Sequence, residues 1–417
     1  MDRDAFVYVD LDGVPQLVGR LWTKVRTGKE RATLEYDAQW LRHHARFSLE
    51  PALTLGEGAF HTEAGIAMFG AIGDSAPDRW GRTLMRRMAR REAERQGHAV
   101  RTLFEMDYLL MVDDEARQGA LRFSAGIGTP FLREHDDRRI PPLIELPRLL
   151  AAAERVIDDE DTDEDLRLLF APGSSLGGAR PKASVRLGDG SLAIAKFPRR
   201  DDDHDTVRWE RVALVLAERA GITVPTSTLE PVAGKPVLIV RRFDRRGSHR
   251  VPFLSAMSML GAKDNETHSY LEIVDALRQH GAVPAEDLQQ LWRRIVFNVL
   301  ISNTDDHLRN HAFLYDGQRG WQLSPAYDLN PVPTDLKARM LMTTITESDN
   351  TASLDLVMSV AGYFRIKPER AREISREVAS SVSQWRIEAS RSGLSRSQID
   401  RMASAFEHRD MDQARTL

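Results

Sequence analysis

The run Ile-Ser-Asn-Thr-Asp-Asp-His-Leu-Arg-Asn-His at residues 301–311 places Asp305 five residues before Asn310, directly after an apolar stretch of helical period. That is the spacing of a phosphotransferase catalytic loop. In such a loop the aspartate accepts the proton of an attacking hydroxyl, and the asparagine holds a magnesium ion on the nucleotide phosphates. A second carboxylate, Asp328 in Ser-Pro-Ala-Tyr-Asp-Leu at 324–329, stands where a kinase keeps its other metal-binding aspartate. Alone, a loop rich in Asn, Asp and His is more simply a solvated turn whose side chains bond their own backbone. The order of the pieces argues for chemistry. A Gly/Ser-rich loop ending in a lysine (173–182), a lysine in an apolar strand (Lys196), the Asp/Asn loop and the lone Asp328 follow one another as in a kinase. Transfer of a phosphoryl group from ATP with Mg2+ is the reaction this order implies.

The elements that must position these residues are legible around them. In 173–182, the adjacent Gly177 and Gly178 let backbone amides approach a phosphate because neither carries a Cβ, although the sequence is neither a P-loop nor the usual kinase glycine-rich loop. Residues 183–187 and 191–197 read as strands around Gly188-Asp189-Gly190 and set Lys196 among apolar neighbours. An ammonium there must reach water or an anion, and a nucleotide phosphate is the functional candidate. A helix over about 206–220 carries Glu210, either to pair with Lys196 as in protein kinases or to make a surface salt bridge. Strand 237–240 then runs into Arg241, Arg242 and Phe243, the positions where a kinase holds adenine through backbone groups. Leu288, Leu291, Trp292, Ile295, Val296, Val299 and Leu300 recur at helical spacing and predict a buried helix that delivers the Asp305 loop. After it, 312–315 and 321–323 bracket a hairpin turn, and helical periodicity dominates from about 354 onward.

Upstream, residues 6–22 predict a β-hairpin on Asp12-Gly13, with further strands at 32–36 and 47–49. A helix begins near Pro77, with Asp74, Ser75 and Asp78 available as caps, and its arginine-rich stretch ends near Gly97. Its basic face could contact nucleic acid, but a solvated face is the simpler reading. The acidic run 158–165 lacks the turn glycine and spacing of a calcium loop and reads as a solvated helix start. The division expected is an α/β module (1–130), a connector rich in proline and charge (131–165), a small lobe with the phosphate loop (166–245) and a helical large lobe with the catalytic loop (246–417).

Composition is permissive. The chain has 417 residues, 42% of them hydrophobic and 29% charged, enough for a sizeable core in two or three domains. A formal charge of -4 argues against a globally nucleic-acid-binding protein. With 0 cysteines, disulfides, thiolate metal sites and cysteine nucleophiles are excluded. The start Met-Asp-Arg-Asp lacks the pattern of a signal peptide, and no apolar run approaches the about 18 residues of a membrane span, so a soluble cytoplasmic protein is expected.

The chain resembles the HipA family, bacterial serine/threonine kinases that act as toxins of toxin–antitoxin pairs. The resemblance rests on Ser-Leu-Gly-Gly-Ala-Arg-Pro-Lys (175–182), Ala-Lys-Phe (195–197), Arg-Phe-Asp-Arg (242–245), Asn-Thr-Asp-Asp-His-Leu-Arg-Asn-His (303–311) and Pro-Ala-Tyr-Asp-Leu (325–329). Pro-Asp-Arg-Trp-Gly-Arg (77–82) and Gly-Ala-Leu-Arg-Phe (119–123) are similar to the family's accessory-domain signatures. The fold implied is α+β: a protein-kinase-like two-lobed core, with a β-rich small lobe and an all-helical large lobe, behind an N-terminal α/β accessory domain. The resemblance makes Asp305 the catalytic base, Asn310 and Asp328 the magnesium ligands, and Lys196 a phosphate ligand. It makes Gly177, Gly178, Ala179, Arg180, Pro181 and Lys182 the phosphate loop, with His307 and Tyr327 close to the nucleotide. Ser175 matches a serine that members autophosphorylate, which expels the loop and inactivates the kinase; Ser174 beside it is a second candidate. Pro181 stiffens the loop in a way some members do not share. The resemblance further implies a helix-turn-helix, HipB-like antitoxin, operator DNA bound by the joint complex, and a protein substrate that in studied members is an aminoacyl-tRNA synthetase.

Two other readings compete. A metal-dependent hydrolase could use Asp305, His307 and His311, since histidines four apart share a helix face, but the strand-like 312–315 interrupts such a helix. A non-catalytic corepressor with a kinase-like core would bind antitoxin and DNA without transferring phosphate, and intact Lys196, Asp305, Asn310 and Asp328 argue against it.

Overall fold

The computed structural model describes residues 3–134, 140–170 and 178–417. The fold is α+β, and its contacts gather into two compact units, one of residues 1–199, 232–234 and 241–254 and one of 200–231, 235–240 and 255–417. Gly177 and the two serines Ser174 and Ser175 lie outside the described residues. Among the described residues no helix is long and apolar enough to cross a membrane.

In the first unit, strands β1 (Arg3–Leu11) and β2 (Val14–Arg26) form the expected hairpin, with Asp12 and Gly13 both at positive φ and the Gly13 N–H bonded to Asp10 Oδ1 at 2.8 Å. With β3 (Lys29–Tyr36), β4 (Ala59–His61) and β5 (Leu121–Ser124) they make a five-stranded sheet in the order β4-β3-β2-β1-β5. Residues 47–49, expected as a strand, are irregular. Phe47 and Leu49 are buried as a strand pattern would have them. Phe47 packs edge-on against Trp40, however, and the Leu49 N–H donates to the Tyr36 hydroxyl, so the backbone has no ladder to join.

Helix Arg79–Gln96 begins on Asp78, whose Oδ1 accepts the Gly81 N–H at 2.8 Å, and ends on Gly97 in the left-handed region, as caps of these types should. Its basic face is not simply solvated, and neither is the acidic run. Arg87 pairs with Asp159 and Asp161, Arg91 with Asp161 at 2.8 Å and Asp163 at 3.1 Å, and Arg95 with Asp163 at 3.2 Å. The run that reads as a solvated helix start, and does carry the first turn of helix Asp163–Phe170, is the counter-charge of a helix some 70 residues upstream.

Strands β6 (Lys182–Arg186) and β7 (Leu192–Lys196) pair antiparallel, with Lys182 opposite Lys196. The segment 241–245 is locked in the same unit. The buried Arg242 guanidinium donates to both Asp244 oxygens, at 2.9 and 2.5 Å, and to the carbonyls of Ala116 and Arg117. Asp244 also accepts the Gly119 N–H at 2.8 Å and Arg245 at 2.9 Å. Gly119 sits at φ +73°, where a Cβ would meet Phe253 at 3.1 Å, so glycine is required there.

The second unit is helical apart from short strands, among them Ala312–Tyr315 and Trp321–Leu323, which pair through the turn expected at 316–320. Helix Thr206–Arg219 buries Glu210, which removes the surface salt bridge as its role. Helix Pro284–Leu300 opens on a proline with Glu286 and Asp287 in its first turn, and it buries the seven apolar residues that predicted it.

Burial would raise the Asp244 carboxyl, but the charges of Arg242 and Arg245 outweigh it and hold Asp244 well below the usual carboxylate range. A carboxylate depressed in the folded state stabilises above its unfolded pKa, and that contribution is lost as pH falls. Asp244→Asn should therefore cost about 3–5 kcal/mol at neutral pH by leaving Arg242 and Arg245 buried without a counter-charge. It should also flatten the acid side of the stability curve. Urea unfolding from neutral pH down to about pH 2, well past the unfolded carboxylate value of about 3.9, checks both, and an unchanged midpoint at neutral pH would contradict the assignment.

Candidate active site

The loop 301–311 is shaped by a buried carboxylate next to the one expected to react. Asp305 is 61% exposed, whereas Asp306 is buried. Asp306 Oδ2 accepts hydrogen bonds from Tyr270 Oη at 2.5 Å, Asn298 Nδ2 at 2.8 Å and His311 Nε2 at 2.8 Å. Its carbonyl accepts from the Thr343 N–H at 3.2 Å and hydroxyl at 2.7 Å. Burial would raise the Asp306 carboxyl, but the charge of His311 and the hydrogen bonds of His311 and Tyr270 hold it below its ordinary value. Burial, and then the Asp306 charge, push the Tyr270 hydroxyl far up, so it stays a donor.

The backbone reaches this arrangement by a sharp exit from helix Pro284–Leu300. Ser302 takes φ +52°, and its hydroxyl donates to the Ala405 carbonyl at 2.9 Å. Asn303 Nδ2 donates to Asn298 Oδ1 at 3.0 Å, so Asn298 joins helix, loop and Asp306. One 3-10 turn, Leu308–Asn310, then carries Asn310 inward, and its Nδ2 donates to the Asp305 carbonyl at 3.2 Å. With the amide nitrogen spent, Asn310 Oδ1 is the atom left for a cation. His307 and His311 flank this turn rather than share a helix face, and His311 is engaged with Asp306, which removes the geometry a two-histidine hydrolase site requires.

The segment bearing Asp328 is stitched to this loop at three points. Tyr327 Oη donates to the Arg309 carbonyl at 2.7 Å, the Asn330 N–H to Asn303 Oδ1 at 3.3 Å, and the Val332 N–H to the Ser302 carbonyl at 3.2 Å. Asp328 itself is at φ +58°, a costly conformation for a non-glycine residue and one that gathers at functional sites. Asn330 Nδ2 supports it by donating to the Asp328 carbonyl at 3.2 Å. Thr304 Oγ1, His307 Nδ1 and Asn330 Oδ1 are buried without a hydrogen-bond partner in the protein and so are open to a ligand, ion or water. Asn310 Oδ1 and the Asp328 carboxylate are hard oxygen donors that suit magnesium.

The remaining expected site residues belong to the first unit. Gly178 has φ +97°, which only glycine adopts readily, and Gly178 and Ala179 are exposed while Arg180 is half-buried and Pro181 buried. Lys182 is buried, with Nζ 2.6 Å from Asp78 Oδ2 and 3.4 Å from the Gly178 carbonyl, and its own carbonyl accepts the Trp80 indole N–H at 3.0 Å. Its ammonium is thus committed to Asp78, while Lys196 opposite it on β7 is half-buried. Arg241 pairs with Asp189 at 2.6 Å, the Arg242 N–H donates to the Leu192 carbonyl at 3.0 Å, and the Phe243 ring lies 6.4 Å from that of Phe253.

Sequence reasoning missed Asp306, Tyr270 and Asn298. Asn298 had a readable signal, a lone amide inside an otherwise apolar helix run; Tyr270 had none, being 36 residues from its partner. Tyr270→Phe should cost about 1.5–3 kcal/mol by removing a donor from a buried charge. Asn298→Leu should cost at least as much, because it also frees Asn303. Urea midpoints equal to that of the parent chain would contradict the role given to Asp306.

The family model described as HipA-like C-terminal domain matches residues 174–385. Y4mE of Sinorhizobium fredii (strain NBRC 101917 / NGR234), whose designation as a kinase is itself provisional, is 29% identical over 196 residues, covering 40% of this chain and 45% of that protein. A similarly designated protein of Haemophilus influenzae (strain ATCC 51907 / DSM 11121 / KW20 / Rd) is 25% identical over 201 residues, covering 40% of this chain and 57% of that protein. The chain spans about half the length of the curated relatives it matches. Among solved structures, HipA of Shewanella oneidensis MR-1, in a toxin–antitoxin complex with HipB and its operator DNA, aligns over 99% of both chains with a TM-score of 0.66 at 17% identity. That likeness establishes the fold.

Proposed function

Because the chain belongs to the HipA-like C-terminal domain family, we propose that it is an ATP- and magnesium-dependent serine/threonine protein kinase and the toxin of a type II toxin–antitoxin pair. The observation that carries this reading is the outward Asp305 on a loop fixed by Asp306, with Asn310 and the strained Asp328 on segments stitched to each other.

Asp305 takes the proton of the attacking serine or threonine hydroxyl, and the orientation imposed by Asp306 keeps its carboxylate toward solvent. Asn310 and Asp328 hold magnesium, which when bound draws negative charge off the nucleotide phosphates. Lys196 and the backbone of 177–182 bind phosphate, with Lys182 contributing through the shape it gives the loop while its ammonium rests on Asp78. The backbone of 241–243, His307 and Tyr327 belong to the nucleotide's surroundings. Autophosphorylation of Ser175 or Ser174 places a doubly charged group in a loop built for phosphate and switches the kinase off. The partners are a helix-turn-helix antitoxin and, through it, operator DNA; the cellular target is a protein, with an aminoacyl-tRNA synthetase the leading candidate. The division at residues 130, 165 and 245 belongs to the same proposal.

Incubation of the purified chain with Mg2+ and γ-labelled ATP, followed by mass mapping, should find phosphate on Ser175 or Ser174. Asp305→Asn should lower transfer by about 10²–10⁴-fold while nucleotide binding is kept, and Asp328→Asn should also weaken Mg-ATP binding in calorimetry. No label and no ATP binding would contradict the kinase and leave the non-catalytic corepressor.

A further inference from the structure

The segment that follows Asp328 brings a cation to the catalytic loop. Lys337 Nζ stands 3.6 Å from Asp305 Oδ1 and 3.5 Å from the Thr304 carbonyl, and it is the one basic group paired with Asp305 among the described residues. The loop 303–311 has no lysine of its own, and its Arg309 is engaged with Asp264 at 2.5 Å.

The backbone around Lys337 is pinned on both sides. Before it, the Thr334 N–H donates to Ser404 Oγ at 3.0 Å, and the Lys337 N–H closes a turn on the Pro333 carbonyl at 3.3 Å. After it, Arg339 reaches into the fold: Nη1 to Asp410 at 2.6 Å, Nη2 to the Val299 carbonyl at 2.9 Å, Nε to Ser302 Oγ at 3.1 Å. Arg339 is thus anchored on Ser302, the residue that turns the chain into the catalytic loop. Five polar contacts thus fix the backbone on either side of the lysine beside Asp305. The Lys337–Asp305 pair itself, with side chains 43% and 61% exposed, adds little to stability.

We propose that Lys337 is a further catalytic residue, a cation that contacts the transferred phosphoryl group in the transition state and rests on Asp305 between turnovers. The inference builds on the phosphotransferase reading. In the transfer, the substrate hydroxyl oxygen bonds to the γ-phosphorus and the bond from that phosphorus to the β,γ-bridging oxygen breaks. The electron pair leaves with ADP, and the hydroxyl proton passes to Asp305. A group 3.6 Å from the proton acceptor lies on the attacking side, where a flexible ammonium can reach the equatorial phosphoryl oxygens as their charge is redistributed. It would act on the transition state and leave ground-state nucleotide affinity alone.

The test uses the full chain and the variants Lys337→Met and Lys337→Arg. Calorimetry compares Mg-ADP alone with Mg-ADP plus aluminium fluoride, a mimic of the phosphoryl group in flight, and single-turnover loss of γ-label from Mg-ATP gives the transfer rate. For Lys337→Met we expect transfer slower by about 10²–10³-fold and aluminium fluoride complex affinity reduced by a similar factor, with Mg-ADP affinity unchanged. Lys337→Arg should recover part of both. A parental transfer rate in Lys337→Met, or equal losses for Mg-ADP and the mimic, would overturn the proposal while leaving the kinase standing. A parent chain that neither binds Mg-ADP nor consumes Mg-ATP would remove the phosphotransferase reading, and the role of Lys337 with it.

Discussion

One buried carboxylate governs the candidate site. Asp306 is buried and must therefore be met by donors from the protein: Tyr270 from one helix, Asn298 from another, and His311 from beyond the loop's turn. Thr343, from the segment after Asp328, holds its carbonyl. Four partners converge on a single residue, and two of them, Tyr270 and Thr343, come from 36 and 37 residues away in sequence. Because neighbouring residues in this irregular loop face different ways, the demand that Asp306 point inward is what leaves Asp305 outward. The carboxylate proposed to react is the exposed one, and it is positioned by its buried neighbour.

The first unit uses the same device twice. Asp78 caps helix Arg79–Gln96 with one oxygen and takes the Lys182 ammonium with the other, so the helix start is tied to the start of β6. Asp244 binds Arg242, Arg245 and the Gly119 N–H, so the segment entering from strand Lys235–Arg241 is tied to the turn that begins β5. These contacts give a physical meaning to the two short upstream signatures. The 77–82 motif meets the end of the 175–182 motif, and the 119–123 motif meets 242–245. Buried charges of this kind add modestly to stability when paired and cost heavily when one partner is removed, which makes them devices of placement.

Local chemistry was legible in the sequence, and long-range pairing was not. Asp12-Gly13 forecast a turn, Asp78 and Gly97 a helix with both ends, and the apolar period of 288–300 a buried helix, since each pattern is complete within one element. Phe47 and Leu49 misled because alternating burial needs only a core to face, whereas a strand also needs a free edge to pair with. The arginine-rich helix and the acidic run each read as solvated because their attraction to each other leaves no trace in either segment. The spacing of Asp305 and Asn310 raises the expectation of phosphotransfer, yet nothing in Asp-Asp distinguishes the exposed carboxylate from the buried one. Only burial does.

The most direct test of this account measures phosphoryl transfer and unfolding midpoint on the same preparations of Asp305→Asn and Asp306→Asn, with Mg-ATP as donor. The two variants should fail differently: Asp305→Asn keeps the parental midpoint and loses transfer, whereas Asp306→Asn lowers the midpoint. An Asp305→Asn chain that transfers phosphate at the parental rate, or an Asp306→Asn chain as stable as the parent, would contradict the division of labour between the two aspartates.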